Sequence, residues 1–176
     1  MLYTGPWHDA ITDIDPADKS AIAGIARSIE KASKQGDAPA APWLTTHFFD
    51  ADGGNPAERR WIGVRVANDF AAVLTCTPAY QRREWIVSSP PVMRVAIWVE
   101  PQWRRRGMAQ ALLIRCISVN RRAGVRQLVF FDLDGDAAMR KLVCRFSADL
   151  LFMRGECQAW LELGTATEHH CRAWTA

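Results

Sequence analysis

The residues with the most chemistry per position lie between Val99 and Ala109, in the run Val-Glu-Pro-Gln-Trp-Arg-Arg-Arg-Gly-Met-Ala. Arg104, Arg105 and Arg106 place guanidinium groups next to Gly107, Met108 and Ala109, where an amphipathic helix is predicted to start. The first turn of a helix leaves backbone N–H groups without partners, and the aligned peptide dipoles add about half a positive charge there. A pyrophosphate fits such a turn. Gly107 and Ala109 keep bulk away from the amides, and the arginines neutralise charge that the amides leave over.

The elements around this run follow from periodicity. After an irregular start through Asp15, Pro16 opens a predicted helix with Ile22, Ile25, Ala26 and Ile29 at helical spacing, ended by Gly36 and a Pro/Ala-rich stretch. A short β-like piece, Thr45 to Phe49, leads into a loop from Asp50 to Pro56 whose Gly53-Gly54-Asn55 lacks the strand and helix of a phosphate motif. Ile62, Val64 and Val66 then alternate with Gly63 and Arg65, and Asn68-Asp69 turns the chain into the apolar run Phe70 to Cys76, an antiparallel hairpin. Val92 to Val99 is the next strand, with Met93, Val95, Ile97 and Val99 on its core face.

Gly107 to Arg122 reads as a helix carrying Met108, Leu112, Leu113, Cys116 and Ile117 on one side, with Gly124 just past its end. Val125 to Leu133 forms a nearly continuous apolar strand. A second helix follows, capped by Asp134 or Asp136 and burying Met139, Leu142, Val143 and Phe146, and Leu150 to Leu163 supplies one or two closing strands.

With these elements in place, the chain resembles the GNAT superfamily of acyl-CoA-dependent N-acetyltransferases. Val99, Pro101, Arg104, Gly107 and Ala109 match its cofactor motif, V-x-P-x-x-(R/Q)-x-x-G-x-(G/A), between a strand and a helix. Asp136-x-x-Met139-x-x-Leu142 resembles its later N-x-x-(A/M)-x-x-L helix, with aspartate for asparagine. Trp103 and Met139 lean weakly toward the bacterial protein-lysine acetyltransferase subgroup, although Arg94 stands near the place of that subgroup's glutamate.

The resemblance implies an α/β (α+β) fold in three α/β/α layers. Its mixed, mostly antiparallel sheet splays at the cofactor cleft, within a single domain over residues 1–176. It also implies acetyl-CoA as co-substrate, the backbone of Ile97, Trp98 and Val99 along the pantetheine arm, and the turn from Arg104 to Ala109 around the pyrophosphate, with Asp136 as a further cofactor-binding residue. The acceptor is then an amine (a protein lysine, a small amine or an aminoacyl-tRNA) that attacks the thioester directly in a ternary complex, so no cysteine need be a nucleophile. A lysine-like amine of pKa about 10.4 costs about 4–5 kcal/mol to deprotonate at pH 7, which gives a general base value. Glu84 and Asp132 lead the candidates, ahead of Glu100, which falls toward the phosphates, and Asp134, which shares a face of the Val125 to Leu133 strand with Asp132 near its cleft end. Where many members carry a tyrosine that protonates the departing thiolate, this chain has Val143.

Composition fits one enzyme domain. The chain has 176 residues, 49% of them apolar and 23% charged, a net charge of +3, and eight tryptophans that point to an aromatic core or surface. Five cysteines without a C-x-x-C pair, and no signal peptide or membrane-spanning run, lead to the expectation of a reduced, cytoplasmic protein that does not engage a membrane. No metal site is expected, since His169 and His170 are adjacent with only Cys171 beside them. A homodimer is compatible with the reading. The basic stretch from Arg104 to Arg145, opposed only by Asp132, Asp134 and Asp136, keeps two other functions open: a non-catalytic acyl-CoA sensor or partner-binding domain, and a basic nucleic-acid-binding module.

Overall fold

The structure is a computed structural model that describes residues 6–7, 9–34, 59–67, 69–79, 92–153 and 155–164. The β-like piece at 45–49, the loop at 50–56 and Glu84 lie outside these residues. Seven strands form one sheet in the order β1-β2-β3-β4-β5-β7-β6. They are β1 (Ile11–Ile14), β2 (Arg60–Val66), β3 (Asp69–Pro78), β4 (Val92–Val99), β5 (Gln127–Phe130), β6 (Asp149–Met153) and β7 (Glu156–Glu162). Every neighbouring pair is antiparallel except β4 and β5. The parallel pair is joined by helix α2 (Met108–Arg122), as parallel neighbours require a crossover.

The helices cover both faces. On one side α1 (Lys19–Lys34) lays Ala21, Ile25, Ile29 and Ala32 onto Trp61, Phe70, Val73, Ala96 and Trp98. Asp18 starts this helix, its carboxylate accepting from Ala21 N–H at 2.9 Å. On the other side α2 buries Met108, Leu112, Leu113 and Cys116 against Ile62, Leu74, Met93, Val95 and Ile97, while α3 (Ala137–Cys144) adds Val143 to the same core. The layers are α/β/α. Each fully buried leucine of α2 contributes about 1.5–3 kcal/mol, so this helix is held mainly by its inner face. Gly63 leaves room for Phe70 and Ile14 under α1, because a Cβ there would stand 2.7 Å from the Phe70 ring and 2.8 Å from Ile14 Cδ1.

Two expectations need correction. The start of the chain is not irregular throughout, since Ile11–Ile14 pairs with β2 as an edge strand. Only two of its four residues are apolar, too few to show a period. The run from Val125 to Leu133 is not one strand either: β5 ends at Phe130, and Asp132 adopts a left-handed φ of 55° that turns the chain. Asp132 and Asp134 therefore do not share a strand face. Of the two candidate caps for α3, Asp136 serves, accepting from Met139 N–H at 2.8 Å.

Candidate functional site

The site is built on the divergence of β4 and β5. Their register runs Val92 with Gln127, Met93 with Leu128 and Arg94 with Val129, and stops there. β4 continues five residues further, to Val99. β5 instead stays with β7: Phe130 pairs with Ala159, and beyond the turn at Asp132 the Leu133 N–H donates to Cys157 C=O at 2.9 Å. Asp134 reinforces that attachment by accepting from Cys157 N–H at 2.9 Å. A wedge opens between β4 and the β5–β7 pair, with the Arg94 guanidinium lying 4.5 Å from the Phe131 ring centre near its apex.

Backbone alternation decides which groups face the wedge. Glu100 N–H donates to Ala71 C=O, and Val92 C=O accepts from Ala79 N–H, both across to the β3 side. Since successive residues of a strand point their polar groups to opposite edges, Arg94, Ala96 and Trp98 also turn toward β3. Val95, Ile97 and Val99 turn the other way, into the wedge. Trp98 thus presents no backbone group to that side, and its side chain is buried in the α1 layer. Val99 C=O accepts from Arg104 Nε at 3.2 Å.

From Val99 the chain passes through a 3-10 turn, Pro101–Trp103, into the arginine run and α2. Arg105 and Gly107 both take left-handed conformations, with φ of 62° and 81°. Glycine adopts this freely, whereas for arginine it costs about 1–3 kcal/mol, a strain that collects at ligand sites. Gly107 caps α2, and Ala111 N–H makes the first intrahelical bond, to Gly107 C=O at 3.0 Å. The N–H groups of Met108, Ala109 and Gln110 are left without helical acceptors, and Gly107 has no side chain to satisfy them. Arg104, Arg105, Arg106 and Gly107 are exposed, while the Met108 side chain is buried below, so only its amide is on offer. The sequence-predicted residues from Arg104 to Ala109 are gathered in one cationic turn of open amides.

The remaining predicted residues sit across the wedge. Asp132 is exposed two residues beyond β5. Asp136 has one carboxylate oxygen committed to the α3 cap. Asp134, weighed as a base, is bonded to β7. Val143 is fully buried in the core, and both tyrosines of the sequence, Tyr3 and Tyr80, lie outside the described residues. Cys144 is exposed, whereas burial and the nearby Asp134 charge raise the pKa of the Cys157 thiol. Among the described residues no group of three or more His, Cys, Asp and Glu is placed to hold a metal ion. No helix there is long and apolar enough to cross a membrane.

Sequence reasoning missed one participant. Trp7, in a turn ahead of β1, donates its indole N–H to Arg106 C=O at 2.6 Å and stands edge-on to Trp103, the ring centres 6.3 Å apart. Ninety-nine positions separate donor and acceptor, so no local pattern could signal the contact.

Comparison with known proteins agrees with this geometry. The acetyltransferase (GNAT) family matches residues 25–143, and the chain belongs to that family. Acetyl transfer from acetyl-CoA is the activity of the family, and the chain is an N-acetyltransferase by that membership. Among solved structures, the GNAT domain of S. lividans PAT is 15% identical with a TM-score of 0.62, covering 86% of this chain and 89% of its own. A GNAT-family acetyltransferase from Staphylococcus aureus Mu50 is 9% identical with a TM-score of 0.66, covering 88% and 100%. An N-acetyltransferase from the same source is 18% identical with a TM-score of 0.58, covering 88% and 98%. At such identities the likeness shows the fold alone. No curated protein matches the sequence.

Proposed function

We propose that this chain, acting as a single domain, transfers an acetyl group from acetyl-CoA to a primary amine by direct attack in a ternary complex. The observation that carries the reading is the wedge: β4 runs on past its last β5 register and delivers the chain into a helix N-terminus of open amides. The turn from Arg104 to Ala109 receives the pyrophosphate. The edge of β4 at Ile97 and Val99 bonds the amide groups of the pantetheine arm, with Trp98 anchoring that stretch from the other sheet face. Asp136 keeps α3 in place beside the site through its cap.

The thioester then lies toward Val95, where the wedge narrows. An incoming ammonium must lose a proton first, and Asp132, exposed on the β5 side, is the first candidate to take it, directly or through water. Glu84 is the second candidate. The amine nitrogen forms its bond to the acetyl carbon as the carbon–sulfur bond breaks, and the leaving thiolate is protonated from water. A thiol with an ordinary pKa near 8.5 is a fair leaving group, which makes a dedicated acid dispensable. The acceptor is a protein lysine, a small amine or an aminoacyl-tRNA, and the exposed arginines favour one that carries negative charge. Assembly as a homodimer and a cytoplasmic setting fit the same reading.

Thiol release from acetyl-CoA over a panel of amines tests it. The parent should release CoA with at least one class of acceptor, and Asp132→Asn should lower kcat by about 10²–10⁴ at neutral pH if it is the base, with less effect as pH approaches the amine pKa. Unchanged kcat in that variant moves the role to Glu84. Val143 at the place of the family's acid supports the alternative of a non-catalytic acyl-CoA sensor. CoA binding without thiol release from any acceptor class would decide for that alternative.

A further inference from the structure

The chain places a tryptophan from its N-terminal segment against the turn that receives the pyrophosphate, and the contact reaches backbone rather than side chain. Trp7 is half-buried in a turn closed by Ala10 N–H on Trp7 C=O at 3.1 Å. Its indole N–H donates to Arg106 C=O at 2.6 Å. Its ring meets Trp103 at an interplanar angle of 83°, and the Arg106 guanidinium lies 4.8 Å from the centre of that same Trp103 ring. Trp7, Trp103 and Arg106 therefore form one connected stack beside Gly107.

The consequence lies in the peptide plane. Among the described residues every peptide bond is trans, and in a trans peptide the carbonyl of one residue and the N–H of the next point in opposite directions. Holding Arg106 C=O toward Trp7 aims Gly107 N–H away from it. Glycine at φ 81° is the residue of the turn freest to rotate that plane, because it lacks a Cβ to restrict it. An unanchored Arg106–Gly107 peptide would sample the flipped orientation, presenting a carbonyl where an anion needs a donor. Binding would then have to reverse the flip, and an anchored turn avoids that cost.

We propose that Trp7 is a positioning residue for the acyl donor: its indole N–H fixes the Arg106–Gly107 peptide so that the turn meets the pyrophosphate with donors. This rests on the reading of the turn as the pyrophosphate site. It gives the segment before β1, outside the family motif, a role in donor affinity. Trp7 acts through the backbone and need not touch the donor.

Trp7→Phe keeps an aromatic ring at this position while removing the N–H together with the five-membered ring that carries it, and a second ligand separates the lost hydrogen bond from lost packing. Calorimetric titration of the full chain with CoA should show Kd raised about five- to tenfold, as for loss of one hydrogen bond. Titration with S-acetylpantetheine, which has the arm but no pyrophosphate, should show no change. Equal CoA affinity in variant and parent overturns the role of Trp7, and so does an equal loss for both ligands, which would mark a general structural effect. A parent that binds S-acetylpantetheine but gains nothing from the rest of CoA would overturn the site reading beneath it. Should the variant not fold, the parent alone provides the test. Coupling is reciprocal, so saturating CoA should slow hydrogen exchange of the Trp7 indole N–H by about the same factor. Exchange that CoA leaves unchanged overturns the proposal.

Discussion

Gly107→Glu separates what the turn does for the fold from what it does for the donor. Gly107 sits at φ 81° and ψ 1°, in a region that costs a side-chain-bearing residue about 1–2 kcal/mol. In a chain of this size each kcal/mol is worth about 2–4 °C, so the variant should melt about 2–8 °C below the parent. The new carboxylate also stands where the pyrophosphate is expected. Two like charges about 4 Å apart near a protein surface repel by about 4 kcal/mol, which raises Kd roughly a thousandfold. In the parent, CoA at 100 times Kd adds about 2.7 kcal/mol, or about 5–11 °C. At that same concentration the variant should gain less than about 0.1 kcal/mol, an undetectable shift. Gly107→Ala carries the backbone strain without the charge, so it should match the drop in melting temperature and keep part of the CoA shift. Differential scanning fluorimetry with and without CoA reads all three proteins. A Gly107→Glu protein that melts with the full parental CoA shift would refute the placement of the pyrophosphate.

Two further outcomes follow from packing and charge. Asp136→Ala removes the acceptor of Met139 N–H and should cost about 1 kcal/mol by chemical denaturation, while Asp136→Asn, an equally good cap, should cost little; equal loss in both would make charge rather than capping the cause. The Cys116 thiol is held well above its ordinary pKa, first by donating to Cys76 and then by burial. An unfolded thiol ionises near pH 8.5 while this one keeps its proton, so the native state binds more protons and its stability falls as pH rises past about 8.5. Below that pH the contribution is intact. Between pH 7.5 and 9.5 denaturation should show a total loss of about 1.4 kcal/mol from this thiol, and Cys116→Ala should remove that difference. An unaltered difference would exclude Cys116 as its source.

How far the sequence could be read varied with the kind of interaction. β4 was legible to its last residue because its odd positions are apolar and Pro90-Pro91 and Pro101 bound it. The helix α2 was legible for a similar reason: its buried positions recur at helical spacing between two glycines. The end of β5 was not, because Phe131 and Leu133 continue an apolar run, and nothing in composition reports that Asp132 takes a positive φ. That one dihedral removed the supposed shared face of Asp132 and Asp134, and it lets β5 follow β7 and leave β4. Asn120 was equally invisible as a core residue. It is buried because its side-chain amide donates to Cys116 C=O at 2.9 Å and to the Cys76 sulfur at 3.4 Å, contacts set by tertiary packing. The anion turn itself was readable, since helix-terminal amides are a property of backbone position and the arginines are adjacent in sequence. Its support by Trp7 depends on how β1 joins the sheet edge, which local spacing does not encode.

The central claim is that the amides opening α2 hold the donor's pyrophosphate. Amide resonances of Gly107, Met108, Ala109 and Gln110, followed by ¹⁵N-correlated NMR during titration, test it most directly. With CoA these four should shift downfield together and saturate along one binding curve, while S-acetylpantetheine should move Ile97 and Val99 and leave the four in place. Shifts confined to other parts of the chain, with Gly107 to Gln110 silent at saturating CoA, would contradict it.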